Sequence, residues 1–310
     1  MNGTPPQIEI IAPFKAAFEW MKAMLFRPFD IGRWLTIAFA AFIAGGTGGS
    51  GGGNFGRVGQ WRNQDWKYRM TSHGDWQIEP WVVIALIAAI VIFALIVGLI
   101  LAWVTSRGRF VFTDCIVRNR AAIVEPWKEF RREGNSFFLF VVIVFFGTLF
   151  VLGLLGLVGW GLFMVLHPSG ENAPGLIVFI GVILVLVLIW LIASMFVGLI
   201  ASFMIPVMYR RRCGAGEAFR DVMRLILANP KPFILFLLFG IALGIAVAII
   251  GTLVACMTCC VGALPYISTV LLLPAIVWLA AYRLLFIRQF GDQYDVWASA
   301  APASPPAPAV

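Results

Sequence analysis

Long uninterrupted apolar runs, separated by short charged and aromatic stretches, set the pattern of this chain. Residues 81–104 (WVVIALIAAIVIFALIVGLILAWV) carry no charge and are flanked by Trp81 and Trp103. About 20 apolar residues cross a bilayer as a helix, and tryptophans collect at its two interfaces. Runs at 137–166, 174–208, 232–255 and 264–282 predict four more spans, the last extending to 287. His167-Pro168-Ser169-Gly170 predicts one turn between them, and "CMTCCVGA" another.

The stretch 31–46 (IGRWLTIAFAAFIAGG) is short for a hydrocarbon core of about 30 Å, so charge has to decide its place. Lys and Arg gather in four groups, at 1–33, 105–135, 209–232 and 283–288. If 31–46 crosses, all four groups share one side, which then holds 19 of the 23 basic residues. Cytoplasmic segments keep such an excess. The expected fold is therefore all-α, a polytopic membrane helix bundle. It has six spans (31–46, 81–104, 137–166, 174–208, 232–255, 264–287) and both termini in the cytoplasm of a bacterial cell, in its inner membrane. The first span lacks a small-residue cleavage site and reads as an uncleaved signal anchor.

Three segments resemble one another: residues 14–39, 125–146 and 216–239. Each reads as a charged, aromatic-bearing helix, a break and a span, with the breaks at Arg27-Pro28, Gly134-Asn135 and Asn229-Pro230. In the first, Phe14, Phe18, Met21 and Leu25 share a face opposite Lys15, Glu19 and Lys22; in the third, Phe219, Val222, Met223 and Ile226 alternate with Arg220, Asp221 and Arg224. Such helices lie in the interface with their cations toward anionic headgroups. The expectation is three loose repeats of interfacial amphipathic helix plus two spans. Lys22, Arg27, Arg131, Arg132, Arg210, Arg211 and Arg212 are its candidate headgroup or partner contacts.

Composition agrees with this picture. The 310 residues are 61% apolar and 12% charged, about half the charge of an ordinary soluble domain. The net charge of +8 reads as topology, with no nucleic-acid partner implied. The five unambiguous runs hold no Asp, Glu, Lys or Arg in their interiors, which argues against a proton- or sodium-coupled pump. Thr148, Ser194, Ser202, Thr252, Thr258, Tyr266, Ser268 and Thr269 are expected to bond to backbone or to a neighbouring helix. Pro206 reads as a helix end, Pro265 as a helix start and Pro274 as a mid-span kink.

Other motifs carry less. Gly46-x-Gly48-x-x-Gly51, inside "GGTGGSGGG", follows a span rather than a strand and reads as a flexible connector. The loop 45–80 continues with Trp61, Trp66, Tyr68 and Trp76 among Arg57, Arg62, Lys67 and Arg69, a composition suited to headgroups or a partner surface. Cys256-x-x-Cys259-Cys260 could form a disulfide or pack as small residues; with His73 and His167 the only histidines, no metal site is expected. Glu125, Glu129 and Glu133 at i, i+4 spacing read as a solvated, salt-bridged face. Residues 298–310, only Ala, Pro, Ser and Val, read as a disordered tail.

At "LFRPFDIGRWLTIAF" and "LPYISTVLLLPAIVWLAAYRLLFIRQFGDQYD" the chain resembles a group of uncharacterised bacterial polytopic membrane proteins. In layout it is similar to the membrane domain that precedes some bacterial glycerophosphodiester phosphodiesterases. The resemblance implies six spans and no settled function; without a phosphodiesterase domain here, it carries over no catalytic residue and no cofactor. The expected function is non-enzymatic, binding lipid or a membrane protein partner as a scaffold or regulator. The alternative is an uncoupled carrier for a small or lipidic substrate, using hydroxyls and backbone near Gly153, Gly156, Gly159, Gly161 or Pro274.

Overall fold

The computed structural model describes residues 8–45, 80–166, 173–257 and 265–299. Among them every regular element is helical. In chain order these are α1 (Ile11–Phe26), α2 (Ile31–Ile43), α3 (Pro80–Val117), α4 (Val124–Glu129), α5 (Arg131–Leu166), α6 (Ala173–Arg211), α7 (Ala215–Ala228), α8 (Pro230–Met257), α9 (Pro265–Leu271) and α10 (Leu273–Arg288). Two short 3-10 turns, Asp292–Tyr294 and Val296–Ser299, follow.

Four helices, α3, α5, α6 and α8, are long and apolar enough to cross a membrane. Their apolar stretches are almost wholly uncovered by protein. Helix α3 has 38 residues, about 57 Å at 1.5 Å per residue, and so continues well past a hydrocarbon core of about 30 Å. Its first part, through Val97, is exposed all round, whereas Ser106–Gly108 and Phe110–Val117 are buried. Helix α6 changes in the same way: residues 180–195 are largely exposed, while Leu199–Tyr209 are buried throughout. The core therefore sits at one end of the bundle, where α1, α7, α10 and the basic ends of α3 and α6 meet.

Helix α10 is the centre of that core. Its buried residues include Leu273, Ile276, Val277, Ala280, Tyr282, Leu284 and Phe286, and so occupy every face. Phe286 packs on Phe203, Phe233 and Phe236, and Tyr282 packs on Phe14, Phe236 and Phe239. Fully burying a side chain of this size stabilises by roughly 1.5–3 kcal/mol. Helix α1 lies along α10: the Trp278 indole donates to the Phe14 carbonyl (3.0 Å), and Trp20 donates to the Ile116 carbonyl (3.2 Å). Glu9 and Gln289 exchange two hydrogen bonds of 2.8 Å, which joins the two ends of the described chain.

Several expectations change in detail. Helix α1 turns Ala17, Trp20, Met21, Met24 and Leu25 into protein rather than laying a free face on the interface. Helix α7 likewise buries Ala218, Val222 and Ile226. The second expected break is displaced. Helix α5 runs straight through Gly134-Asn135, and the chain breaks at Phe130 instead. Gly134 is a contact residue: a Cβ there would lie 2.8 Å from Arg107 Cγ, so only glycine lets α3 and α5 approach this closely. The other two breaks, between α1 and α2 and at Asn229, fall as expected.

Helix α2 is shorter than 31–46. It stops at Ile43, with Gly45 at φ +111° just past its end, a backbone that glycine accepts without strain. It runs antiparallel to the buried part of α3: Arg33 donates to Asn119, a Cβ on Gly108 would meet the Ile43 backbone at 2.7 Å, and one on Gly45 would meet Thr105. It thus flanks α3 below the apolar stretch 81–104. The expected last span is two helices, α9 and α10, parted at Leu272, with Pro274 in the first turn of α10. Pro206 does not end α6; the helix continues to Arg211 because its flanking residues are locked in the core. Pro265 opens α9. Ser194, Ser202 and Thr252 bond to carbonyls of their own helices, and Tyr266 donates to the Leu35 carbonyl on α2.

The rest of the Gly-rich and aromatic loop (46–79), His73, His167 and its turn, Thr258, Cys259 and Cys260 lie outside the described residues, as do residues 300–310 of the expected tail. Ala298 and Ser299 belong to the final 3-10 turn.

Candidate functional site at the basic end of the bundle

Helix α3 carries Asp114 into the core, where the carboxylate is fully buried. An unpaired buried carboxylate is very unfavourable, and this one has three donors. The Tyr209 hydroxyl donates to Oδ1 at 2.9 Å, Arg118 Nε lies 3.1 Å from the same oxygen, and Arg120 Nε donates to Oδ2 at 3.1 Å. Each arginine then reaches a second acid. Arg118 forks onto Glu129 at 2.9 and 3.2 Å, and Arg120 bonds Glu125 at 2.7 Å. Arg212, from the end of α6, closes the ring by pairing with Glu129 and lying 3.9 Å above the Phe130 ring. Phe130 stacks on Tyr209 with centroids 4.7 Å apart. The cluster ties α3, α4 and α6 together and leaves the Asp114 charge compensated.

Burial alone would raise the Glu129 pKa. Hydrogen bonds from Arg118 and Arg212, with the charges of the same two residues, outweigh it and hold Glu129 below its ordinary 4.5. Glu129 thus remains ionised as one arm of the clasp. The three glutamates therefore do not form a simple solvated face with Lys128 and Arg132. Glu125 and Glu129 pair across the fold, and Glu133 is buried.

A second arrangement lies where the apolar run of α3 ends. The Arg107 guanidinium lies 4.4 Å from the Trp103 ring and 5.5 Å from Trp127, and donates twice to Asn135 Oδ1 (3.1 and 2.8 Å). Trp103 donates to the same oxygen. Amphipathic rings of this kind sit at headgroup level, at the end of the apolar run.

The basic residues singled out from the sequence fall into two groups. Lys22 pairs with Glu19 at 2.6 Å, Arg211 with Asp221, and Arg212 with Glu129. Arg27, Arg131 and Arg132 are exposed, Arg210 is half-buried, and none of the four has an acidic partner among the described residues. Cys256 is exposed near the far end of α8, with no disulfide to another described cysteine. Among the described residues, no group of three His, Cys, Asp or Glu could hold a metal ion.

Sequence reasoning passed over Asp114, Tyr209 and the Arg118–Arg120 pair. A signal was present: "VFTDCIVRNR" places one acid among apolar residues, with two arginines just beyond it. The partner Tyr209 is 95 residues away and has no local mark. Arg109 and Arg283 were also not singled out. Both are half-buried in the core end and make no ion pair among the described residues.

A protein-family profile spans residues 9–296, from just before α1 to the final turn. The chain belongs to the family of unknown function DUF7544. The family's extent thus takes in the whole described helical assembly. No curated protein and no solved structure matches the chain.

Proposed function

We propose that this chain is a non-enzymatic integral protein of a bacterial inner membrane that binds anionic lipid through its basic face. The observation that carries this reading is the unpaired part of that face. Arg27, Arg131 and Arg132 are exposed cations without acidic partners among the described residues, and Arg131 follows the Trp103–Arg107–Trp127 group that marks headgroup depth. Each such cation near an anionic leaflet contributes about 1 kcal/mol.

The meeting of the basic segments at one end supports a topology. Residues 118–129, residues 209–221, Glu9 and Gln289 all gather at the core end. If α3, α5, α6 and α8 each cross, α3 starts and α8 finishes on the opposite side. The basic segments 118–129 and 209–221 then share one side, which supports reading that side, with the N- and C-terminal helices packed there, as cytoplasmic.

The test is native mass spectrometry of the full chain ejected from nanodiscs of mixed phosphatidylglycerol and phosphatidylcholine. The expected result is carry-over enriched in phosphatidylglycerol, reduced when Arg27, Arg131 and Arg132 are changed together to Gln. Carry-over that matches the bulk mixture for the wild-type chain would reject the reading.

A further inference from the structure

One stripe of α5 has its polar end braced by α3. Arg107 on α3 is buried beside two indoles, its guanidinium carbon 4.4 Å from the Trp103 ring and 5.5 Å from Trp127. The two rings meet edge to face with centroids 6.0 Å apart. Arg107 Nε, Arg107 Nη2 and the Trp103 indole all donate to Asn135 Oδ1, at 3.1, 2.8 and 3.2 Å. A carbonyl oxygen has two lone pairs, so three donors saturate this one and fix the amide. The other end of that amide, Nδ2 with its two N–H donors, makes no hydrogen bond to a described residue, and Asn135 is exposed. Arg131 lies one helical turn before Asn135 on the same face and is also exposed. Among the described residues neither Arg107 nor Arg131 has an acidic partner. Two uncompensated cations thus flank one outward-facing amide donor.

Beyond Asn135 the same stripe turns apolar. Leu139, Ile143 and Phe146 follow at helical spacing, and all three are exposed. From Asn135 to Phe146 is about 16 Å along the helix, close to half of a hydrocarbon core of about 30 Å. A phospholipid has this layout, with a phosphate at one end and an acyl chain spanning one leaflet. Charge selects the anionic class, because a zwitterionic headgroup brings its own cation to a place that already holds two.

We propose that the α5 stripe Arg131–Asn135–Leu139–Ile143–Phe146, braced by Trp103 and Arg107, is a binding lane for one anionic phospholipid. Asn135 Nδ2 and the Arg131 guanidinium donate to the phosphate oxygens, and an acyl chain lies along the three apolar side chains. The lane rests on the lipid-binding reading above and narrows it from a basic face to one place, with Asn135 as a ligand that reading does not need.

The experiment places p-benzoylphenylalanine at Leu139, or at Leu184 on α6 as the control, in the full chain. Each is irradiated in nanodiscs of mixed phosphatidylglycerol and phosphatidylcholine, and the captured lipid is identified by mass spectrometry. At Leu139 the captured lipid is expected to be enriched in phosphatidylglycerol by about fivefold over the bilayer ratio, the preference one interfacial cation gives; at Leu184 it should match the bilayer. N135D and R131E should each return Leu139 to the bilayer ratio. N135D should melt at or above wild type, because its new carboxylate meets Arg107, so that lost capture is not lost folding. Should it melt lower, R131E decides alone, since Arg131 holds no acid in the fold. Bilayer-ratio capture at Leu139, equal enrichment at Leu184, or enrichment that survives the deciding variant overturns the lane. If any of these accompanies phosphatidylglycerol-enriched carry-over in native mass spectrometry, the lane fails while the broader headgroup reading stands; carry-over at the bulk ratio rejects both.

Discussion

The two ends of helix α6 are alike in sequence and opposite in surroundings. "IGVILVLVLIWLIASM" (180–195) is largely exposed, whereas "LIASFMIPVMY" (199–209) is buried on every side. Hydrophobicity does not separate them, since both stretches are almost wholly apolar. What differs is the solvent that apolar surface meets, bilayer above and protein below. The lower half can therefore hold a polar cluster whose partners come from several elements, while the upper half needs only length and apolarity. Glycines draw the same line. Cβ atoms on Gly147, Gly153, Gly156 and Gly161 would meet nothing within 4 Å, but those on Gly108 and Gly134 would strike neighbouring helices.

The contrast can be broken most forcefully at Asp114. D114A leaves Arg118, Arg120 and Tyr209 without their shared acceptor and is expected to destabilise by about 3–5 kcal/mol, read as a lowered melting temperature in detergent. Y209F, which removes one hydrogen bond, should lose about 1 kcal/mol. An unaltered D114A melt would show that the clasp holds nothing.

Next comes the glycine pair. G108A forces α2 from α3 and is expected to destabilise by about 1–3 kcal/mol. G153A in the exposed half should be neutral or stabilising by up to about 1 kcal/mol, because alanine is the better helix former. Equal losses at both sites would mean that the exposed half is packed after all.

The smallest effect is acid sensitivity. Glu129 has a depressed pKa in the folded chain, so its contribution is present above its ordinary 4.5 and is lost as pH falls through the lower folded value. Melting temperature should drop across that acidic window more steeply for the wild type than for E129Q, which has no carboxylate to protonate. Parallel curves would remove Glu129 from the clasp.

The helical class and the four helices long and apolar enough to cross a membrane were legible because apolar runs of bilayer length have few other readings. The starts and ends of helices were harder. Gly134-Asn135 reads locally as a break, yet Gly134 is small to admit Arg107 and Asn135 accepts from Trp103 and Arg107. Those are tertiary reasons that no local pattern displays. The apolar faces of α1 and α7 read as interfacial because sequence shows only that a face is apolar, not whether lipid or protein covers it. The Asp114 clasp was invisible as a unit, since it joins residues from three helices. Arg283 stands inside the expected last span, where a charge is costly and calls for a partner, and that sequence signal was passed over.

The most direct test of the division is a nitroxide scan of α6, one label per variant, with oxygen accessibility measured by electron paramagnetic resonance in vesicles. Labels at Leu184, Leu188 and Ile192 should all be strongly accessible to oxygen, and labels at Ile200, Phe203, Met204 and Val207 should all be shielded. Labels at Leu184, Leu188 and Ile192 as shielded as those at Ile200, Phe203, Met204 and Val207 would mean that protein, not lipid, covers the upper half, and would contradict the account.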